Sequence, residues 1–240
     1  NKYHKNITKY HKIAQKNDSV VFYCILVRFY SIFNVCCAIL LYFDGFSVLD
    51  TLAFPNGYVG VSRFEGWRLA ETFSVCQLEK IVAPVCHQLG YSLLDRRIED
   101  EIVPYCQQKE VAVTVFAATA IGLLSGHYRH GQPPPTGTSW QRGPYNFRRA
   151  MTDGVDRVVQ KVIQVAEAHE CSPSQIAMAW CLAQPGIASV VTGADSVERV
   201  TENCAAAELQ LSAEDLKQLD EVSAGQVLVI HKDCPQGYDG

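Results

Sequence analysis

From Tyr58 onward, short apolar runs alternate with amphipathic stretches, the order that βαβ units produce. The runs predict strands at 58–62, 81–88, 111–117 and 189–194. Helical periodicity falls between them, at 66–73, 97–109, 153–169, 174–182 and 196–206. Ser172-Pro173 sets a capping hydroxyl before a proline suited to the first helical turn. A last helix at 212–222 opens on Ser212-x-x-Asp215, a carboxylate-bearing relative of the capping box. The segment 131–143, with Pro133-Pro134-Pro135, is too rich in Pro, Gly and Thr for regular structure. Four strand–helix units in series predict an α/β fold, a partial (β/α)8 TIM barrel. A full barrel takes roughly 250 residues, and about 180 fit the pattern here.

Upstream the pattern breaks. Residues 1–18 carry Lys2, Lys5, Lys9, Lys12 and Lys16 against one acid, Asp18, with a near-repeat of Lys-Tyr-His-Lys. Two copies are too few for a repeat architecture, and a solvated basic tail is expected. Residues 19–43 are almost uniformly apolar. Their length matches a membrane span, for which about 20 apolar residues suffice. Arg28 and Asn34 argue against that, since an arginine deep in a bilayer is costly. Abundant Val, Ile, Phe and Tyr equally suit two buried strands, which would cover part of an open half barrel. A third reading takes this segment as foreign to the barrel, through a fused exon, a fragment or a displaced coding start. Three parts are therefore expected: a tail plus apolar segment at 1–48, the half barrel at 49–225, and a C-terminal tail at 226–240.

Composition narrows the class. Net charge is −4 and the sequence pI about 6.0, so nothing electrostatic points to nucleic acid. The ten cysteines are irregularly spaced; Cys36-Cys37 are adjacent and form no C-x-x-C pair. Cys86, Cys106 and Cys181 fall in apolar segments, where thiols pack as small hydrophobes. A reducing, cytoplasm-like compartment is expected, with a membrane anchor through 19–43 as the less favoured alternative.

Five motifs then occur in order: Gly60-Val61-Ser62-x-Phe64, Gln88-x-x-Tyr91-Ser92-Leu93-Leu94-x-Arg96, Gly122-Leu123-Leu124-x-Gly126-x-Tyr128, Ser172-Pro173-x-Gln175-x-Ala177-x-Ala179-Trp180, and Gly193-Ala194 followed by Glu202-Asn203. Together they resemble the aldo-keto reductases over about residues 49–224, in the branch that includes potassium-channel β subunits and NADPH-dependent reductases. The resemblance implies the last four β/α units of that barrel and a nicotinamide dinucleotide, NADP(H) or NAD(H), as ligand. It places Ser62 and Gln88 on the nicotinamide carboxamide, which needs both a donor and an acceptor. Phe116 would stack on the nicotinamide ring. Glu202 and Asn203 would meet the adenine, with Arg199 beside them.

Several positions depart from the family pattern. Arg63 replaces an asparagine, Ala117-Ala118-Thr119-Ala120 replaces a Ser-Pro-Leu turn beside the pyrophosphate, and His127 replaces a lysine. Asp195 stands where a residue faces the 2′-phosphate of NADP, which weakens the expected preference for NADP over NAD; Arg199, one helical turn on, offsets the charge. The family's Tyr, Lys, Asp and His, which supply and tune the proton for carbonyl reduction, have no counterpart in residues 1–57, so no catalytic residue is assigned. Three functional classes follow: a catalytically incomplete reductase, a non-catalytic nucleotide-binding or channel-associated subunit, and a membrane-anchored or non-functional remnant. A half barrel would also expose two sheet edges and apolar faces, which invites self-association.

Overall fold

The computed structural model describes residues 22–27, 59–143 and 145–228. Five strands form one sheet: β1 (Phe22–Val27), β2 (Gly60–Ser62), β3 (Cys86–Gly90), β4 (Ala112–Phe116) and β5 (Ile187–Ala194), in the order β1-β5-β4-β3-β2. β2 to β5 run parallel, and β1 pairs antiparallel with β5 from Phe22↔Ala194 to Val27↔Ser189. The helices are α1 (Gly66–Glu79), α2 (Ile102–Gln108), α3 (Ser139–Arg142), α4 (Phe147–Ala150), α5 (Asp153–Ala168), α6 (Pro173–Ala183), α7 (Val197–Ala205) and α8 (Ala213–Ser223). Two 3-10 turns, Arg97–Glu99 and Leu123–Ser125, also occur among the described residues. The four predicted strand–helix units are all present.

Each strand shows two unlike faces because its side chains alternate. On one side His87, Leu89, Val113, Val115 and Val190 are buried within the layer of helices. The other side carries a row in register, Ser62↔Gln88↔Thr114↔Ser189. Thr114 Oγ1 and Ser189 Oγ are 2.8 Å apart, and Cys86 Sγ lies 3.4 Å from Thr114 Oγ1. The inner face of the half barrel is thus a ladder of small polar groups, which corrects the expectation of an apolar one. Exposed apolar side chains cluster on and just after α1, at Trp67, Val75, Leu78, Ile81 and Val82, with Val197 and Val227 exposed elsewhere. The sheet has the two edges expected, although β1 covers β5, so among the described residues the edge strands are β1 and β2.

The outer layer is held by local signals. Thr152 Oγ1 accepts from Val155 N at 3.3 Å and opens α5, whose Val155, Val158, Val159, Val162 and Val165 are buried. Ser172 and Gln175 form a complete capping box at α6, and Ser212 and Asp215 form another at α8. Helix α6 is buried from Ile176 to Leu182 and packs on α5, α7 and β5.

Boundaries moved where turn chemistry overrode apolar runs. α1 continues past 73 to Glu79, and Lys80 ends it in a left-handed conformation at φ 54°. The run 81–88 therefore begins as a connection through Pro84, and its strand starts only at Cys86. The 97–109 helix splits into a 3-10 turn and α2. The 131–143 segment, expected to be irregular, contains α3, pinned by Trp140 Nε1 donating to Ile121 O at 2.8 Å. Of residues 19–43 the structure shows one strand; a second strand there, and Asp50-Thr51-Leu52, lie outside the described residues. Among the described residues no helix is long and apolar enough to cross a membrane.

Candidate functional site

Parallel strands deliver their C-terminal ends to one rim, where barrels of this class place their sites. Ser62 ends β2, and its Oγ donates to Gln88 O at 3.3 Å. The next residue, Arg63, donates its backbone N–H to the same carbonyl at 2.9 Å and turns left-handed at φ 57°. Gln88 is only 6 % exposed, and its side chain lies on the inner face level with Ser62. Phe116 ends β4 opposite Gly90, where even a Cβ would come within 3.5 Å of ring atoms Cε2 and Cζ. The Arg63 guanidinium carbon lies 5.9 Å from the Phe116 ring centroid. Ser62, Gln88 and Phe116 thus share one face and one rim.

Beyond Phe116 the chain enters a turn of left-handed residues: Ala117 (57°), Ala120 (51°), Ile121 (56°) and Gly122 (83°). A β-branched residue at positive φ is strained. The turn is held by Ala120 N to Ala117 O at 2.7 Å and by the Trp140 bond to Ile121 O. Concave backbone turns of this kind suit anions through their N–H groups. His127 is exposed, with Nδ1 2.8 Å from Ser125 Oγ.

The rim continues at β5. Ser196 caps α7 by accepting from Arg199 N at 3.2 Å, and Arg199 Nε meets Asp195 Oδ1 at 3.0 Å in an exposed pair. The compensation expected from their spacing is therefore formed. Asn203 is buried, and its Nδ2 donates to Thr192 Oγ1 and Gly193 O, both at 3.3 Å. Half of its amide thus fastens α7 to β5. Glu202 accepts through its backbone carbonyl from Gln175 Nε2 at 2.9 Å, while its half-buried carboxylate has no partner among the described residues.

The remainder of the Gln88–Arg96 motif builds architecture. Tyr91 is 2 % exposed, stacks on Trp180 at 5.3 Å and donates its hydroxyl to Glu99 Oε1 at 2.5 Å. Burial, then the bond to Glu99, raises that phenol far above its usual range, so it is no proton donor near neutrality. Arg96 grips both Glu99 oxygens at 2.7 and 3.0 Å and reaches Asp220 Oδ1 at 3.0 Å and Ser223 Oγ at 2.9 Å. Its guanidinium covers Trp180, whose Nε1 donates to Asp220 Oδ1 at 3.1 Å. This network ties the end of β3 to α6 and α8.

His87, absent from the sequence-based candidates, is fully buried on the opposite face from Gln88. Its Nε2 accepts from Phe64 N at 3.1 Å, so in the neutral ring Nδ1 carries the proton, 3.8 Å from Cys106 Sγ. Burial pushes its pKa down to about 4. The signal was available in the two-residue alternation, which separates His87 from its neighbour Gln88.

The profile of the Aldo/keto reductase family matches residues 57–224, which contain β2 to β5, helices α1 to α8 and every rim residue named above. The chain belongs to the aldo/keto reductase family. A rice protein (Oryza sativa subsp. japonica) named "Probable voltage-gated potassium channel subunit beta" is 29 % identical over 148 residues, covering 61 % of this chain and 45 % of the relative. A protein of Schizosaccharomyces pombe (strain 972 / ATCC 24843) named "Putative voltage-gated potassium channel subunit beta" is 28 % identical over 170 residues, covering 69 % and 49 %. This aldo/keto reductase chain spans about half the length of the curated relatives it matches.

Proposed function

We propose that residues 49–225 form a nicotinamide-dinucleotide-binding half of an aldo/keto reductase, flanked by separate segments at 1–48 and 226–240, and that it holds a cofactor without reducing carbonyls. The observation that carries this is Gln88: a largely buried side chain whose amide calls for both a donor and an acceptor, on the inner face beside the Ser62 hydroxyl. A carboxamide matches that need in both directions. Phe116 offers the ring an aromatic surface, the strained turn at 117–122 offers backbone N–H groups to the pyrophosphate, and Glu202 with the Asn203 carbonyl oxygen offers acceptors to the adenine amino group. Asp195 faces the position of a 2′-phosphate and Arg199 is already paired to it, so NAD(H) is accepted alongside NADP(H). When bound, the nicotinamide supplies hydride.

No proton donor is assigned to this chain. Carbonyl reduction needs one within hydrogen-bonding reach of the substrate oxygen, and the Tyr91 hydroxyl is committed to Glu99. A binding or regulatory role, as in a channel-associated subunit, has its support in the names of the two relatives. A reducing, cytoplasm-like compartment belongs to the same reading, with Cys106 and Cys181 packed as buried thiols.

Calorimetric titration of the purified chain with NADPH and NADH tests the proposal. Both should bind, and Gln88→Ala should weaken each by about 5- to 20-fold, the worth of one or two hydrogen bonds. No heat with either nucleotide overturns the binding role. Steady NADPH consumption with a reactive aldehyde, above a heat-killed control, overturns the absence of catalysis.

A further inference from the structure

The run Pro133-Pro134-Pro135 lies just before α3, with Pro133 and Pro135 exposed and Pro134 half-buried. Each ring fixes φ near about −65°, and a residue preceding proline is pushed out of the helical region. Gln132, Pro133 and Pro134 all precede one, so sterics confine the run to polyproline II backbone. Both of its ends are fastened. Upstream, His130 donates its backbone N–H to Asp156 Oδ1 at 3.2 Å, and its Nδ1 lies 2.6 Å from Asp153 Oδ1, which ties the loop to α5. Downstream, Pro135 O accepts from Thr138 Oγ1 at 2.8 Å, and buried Trp140 plants α3 through its bond to Ile121 O. Gly131 and Gly137 turn the chain at φ 75° and 86°, so the prolines form a ridge between two bends. Arg142 folds back onto the second bend, where a Cβ on Gly137 would come within 2.8 Å of its Nη2. From Val111 to Thr152 the sequence has no acid and four arginines, in a chain of net charge −4.

We propose that this ridge is a docking site for a protein domain that reads polyproline II backbone through an aromatic-lined groove with acidic residues on its rim. Exposed pyrrolidine rings fit slots between aromatic side chains, and a backbone that is already extended loses little entropy on binding. The fastened ends extend that saving from the prolines to the whole loop. The positive charge around the ridge matches an acidic rim and sets which way round the groove lies. None of the residues assigned to the dinucleotide takes part, so the docking role stands apart from cofactor binding.

The test is calorimetric titration of the intact chain into purified SH3, WW and EVH1 domains, whose grooves are of this kind. It is run on the wild type, on the double variant Pro133→Ala with Pro135→Ala, and on Arg142→Gln. These side chains are exposed, and matching circular dichroism and urea midpoints check that each variant is folded. At least one domain should bind the wild type, and the double variant should weaken that binding by about 10-fold or more, through the lost ring methylenes. Arg142→Gln should weaken it by about 2- to 5-fold, a difference that high salt closes. A synthetic peptide of residues 129–142 should compete, more weakly than the chain because its ends are free. No binding by any of the three domains, or equal binding of wild type and double variant, overturns the docking site. An unchanged affinity for Arg142→Gln overturns the acidic rim assigned to the partner.

Discussion

Acid should find His87 before most of the core. The imidazole is fully buried, accepts the Phe64 N–H through Nε2, and has its pKa depressed from 6.5 to about 4 by burial. Between those values the unfolded chain binds a proton that the folded chain refuses, so stability rises with pH across that window. The contribution is complete above pH 6.5, drains as pH falls toward about 4, and is constant below both values. A difference of about 2.5 units at 1.36 kcal/mol per unit is worth about 3 kcal/mol. Against a typical stability of about 5–15 kcal/mol for a domain, such a loss is roughly a fifth to three fifths of the total. Urea unfolding from pH 7.5 to pH 4, run in parallel on the wild type and His87→Gln, isolates the term. The glutamine oxygen can accept from Phe64 N–H but does not titrate, so its absolute stability is immaterial and only the slope matters. Asp215, whose carboxyl is held low against its own desolvation by Ser212 and His169, contributes equally to both proteins. The difference in stability between them should change by about 3 kcal/mol across the range. Parallel slopes would refute the buried, neutral imidazole.

Arg96→Ala should cost about 2–4 kcal/mol in the same assay, because it strands Glu99 and Asp220 without their shared cation. Arg96→Lys should recover little of it, since one ammonium cannot reproduce the fork that spans both acids; a loss under about 0.5 kcal/mol for the alanine variant would show the network to be inert. The apolar patch on α1 should drive self-association at micromolar concentration, and Leu78→Glu, at a residue 78 % exposed, should shift sedimentation toward the monomer. Identical sedimentation of the two proteins would clear that helix of any role in assembly.

The parallel strands were legible because short apolar runs bounded by turns carry their own periodicity, and the rim followed once Ser62 and Phe116 were set at strand ends with Gln88 between them. The run at 81–88 misled because Ile81 and Val82 have the composition of a strand, while Lys80 and Pro84 direct the backbone elsewhere. The Asn203 nitrogen shows a different limit. Its position is readable, but its bonds to Thr192 and Gly193 depend on how α7 folds back on β5. The antiparallel pairing of β1 with β5 joins segments more than a hundred residues apart, which no local pattern encodes. The same holds for the partners of Arg96.

That last contact sets a timetable. Asp220 and Ser223 follow Arg96 by 124 and 127 residues. At about 5–20 residues per second, a ribosome needs on the order of ten seconds to deliver them. During that interval the nascent sheet holds a guanidinium with only Glu99 to answer it, next to an indole not yet tethered at its N–H. The unit therefore completes itself backwards, its earliest strands waiting on its latest helix. A product terminated before Asp220 would hold every strand of the sheet and still lack the group that seats β3 against α6.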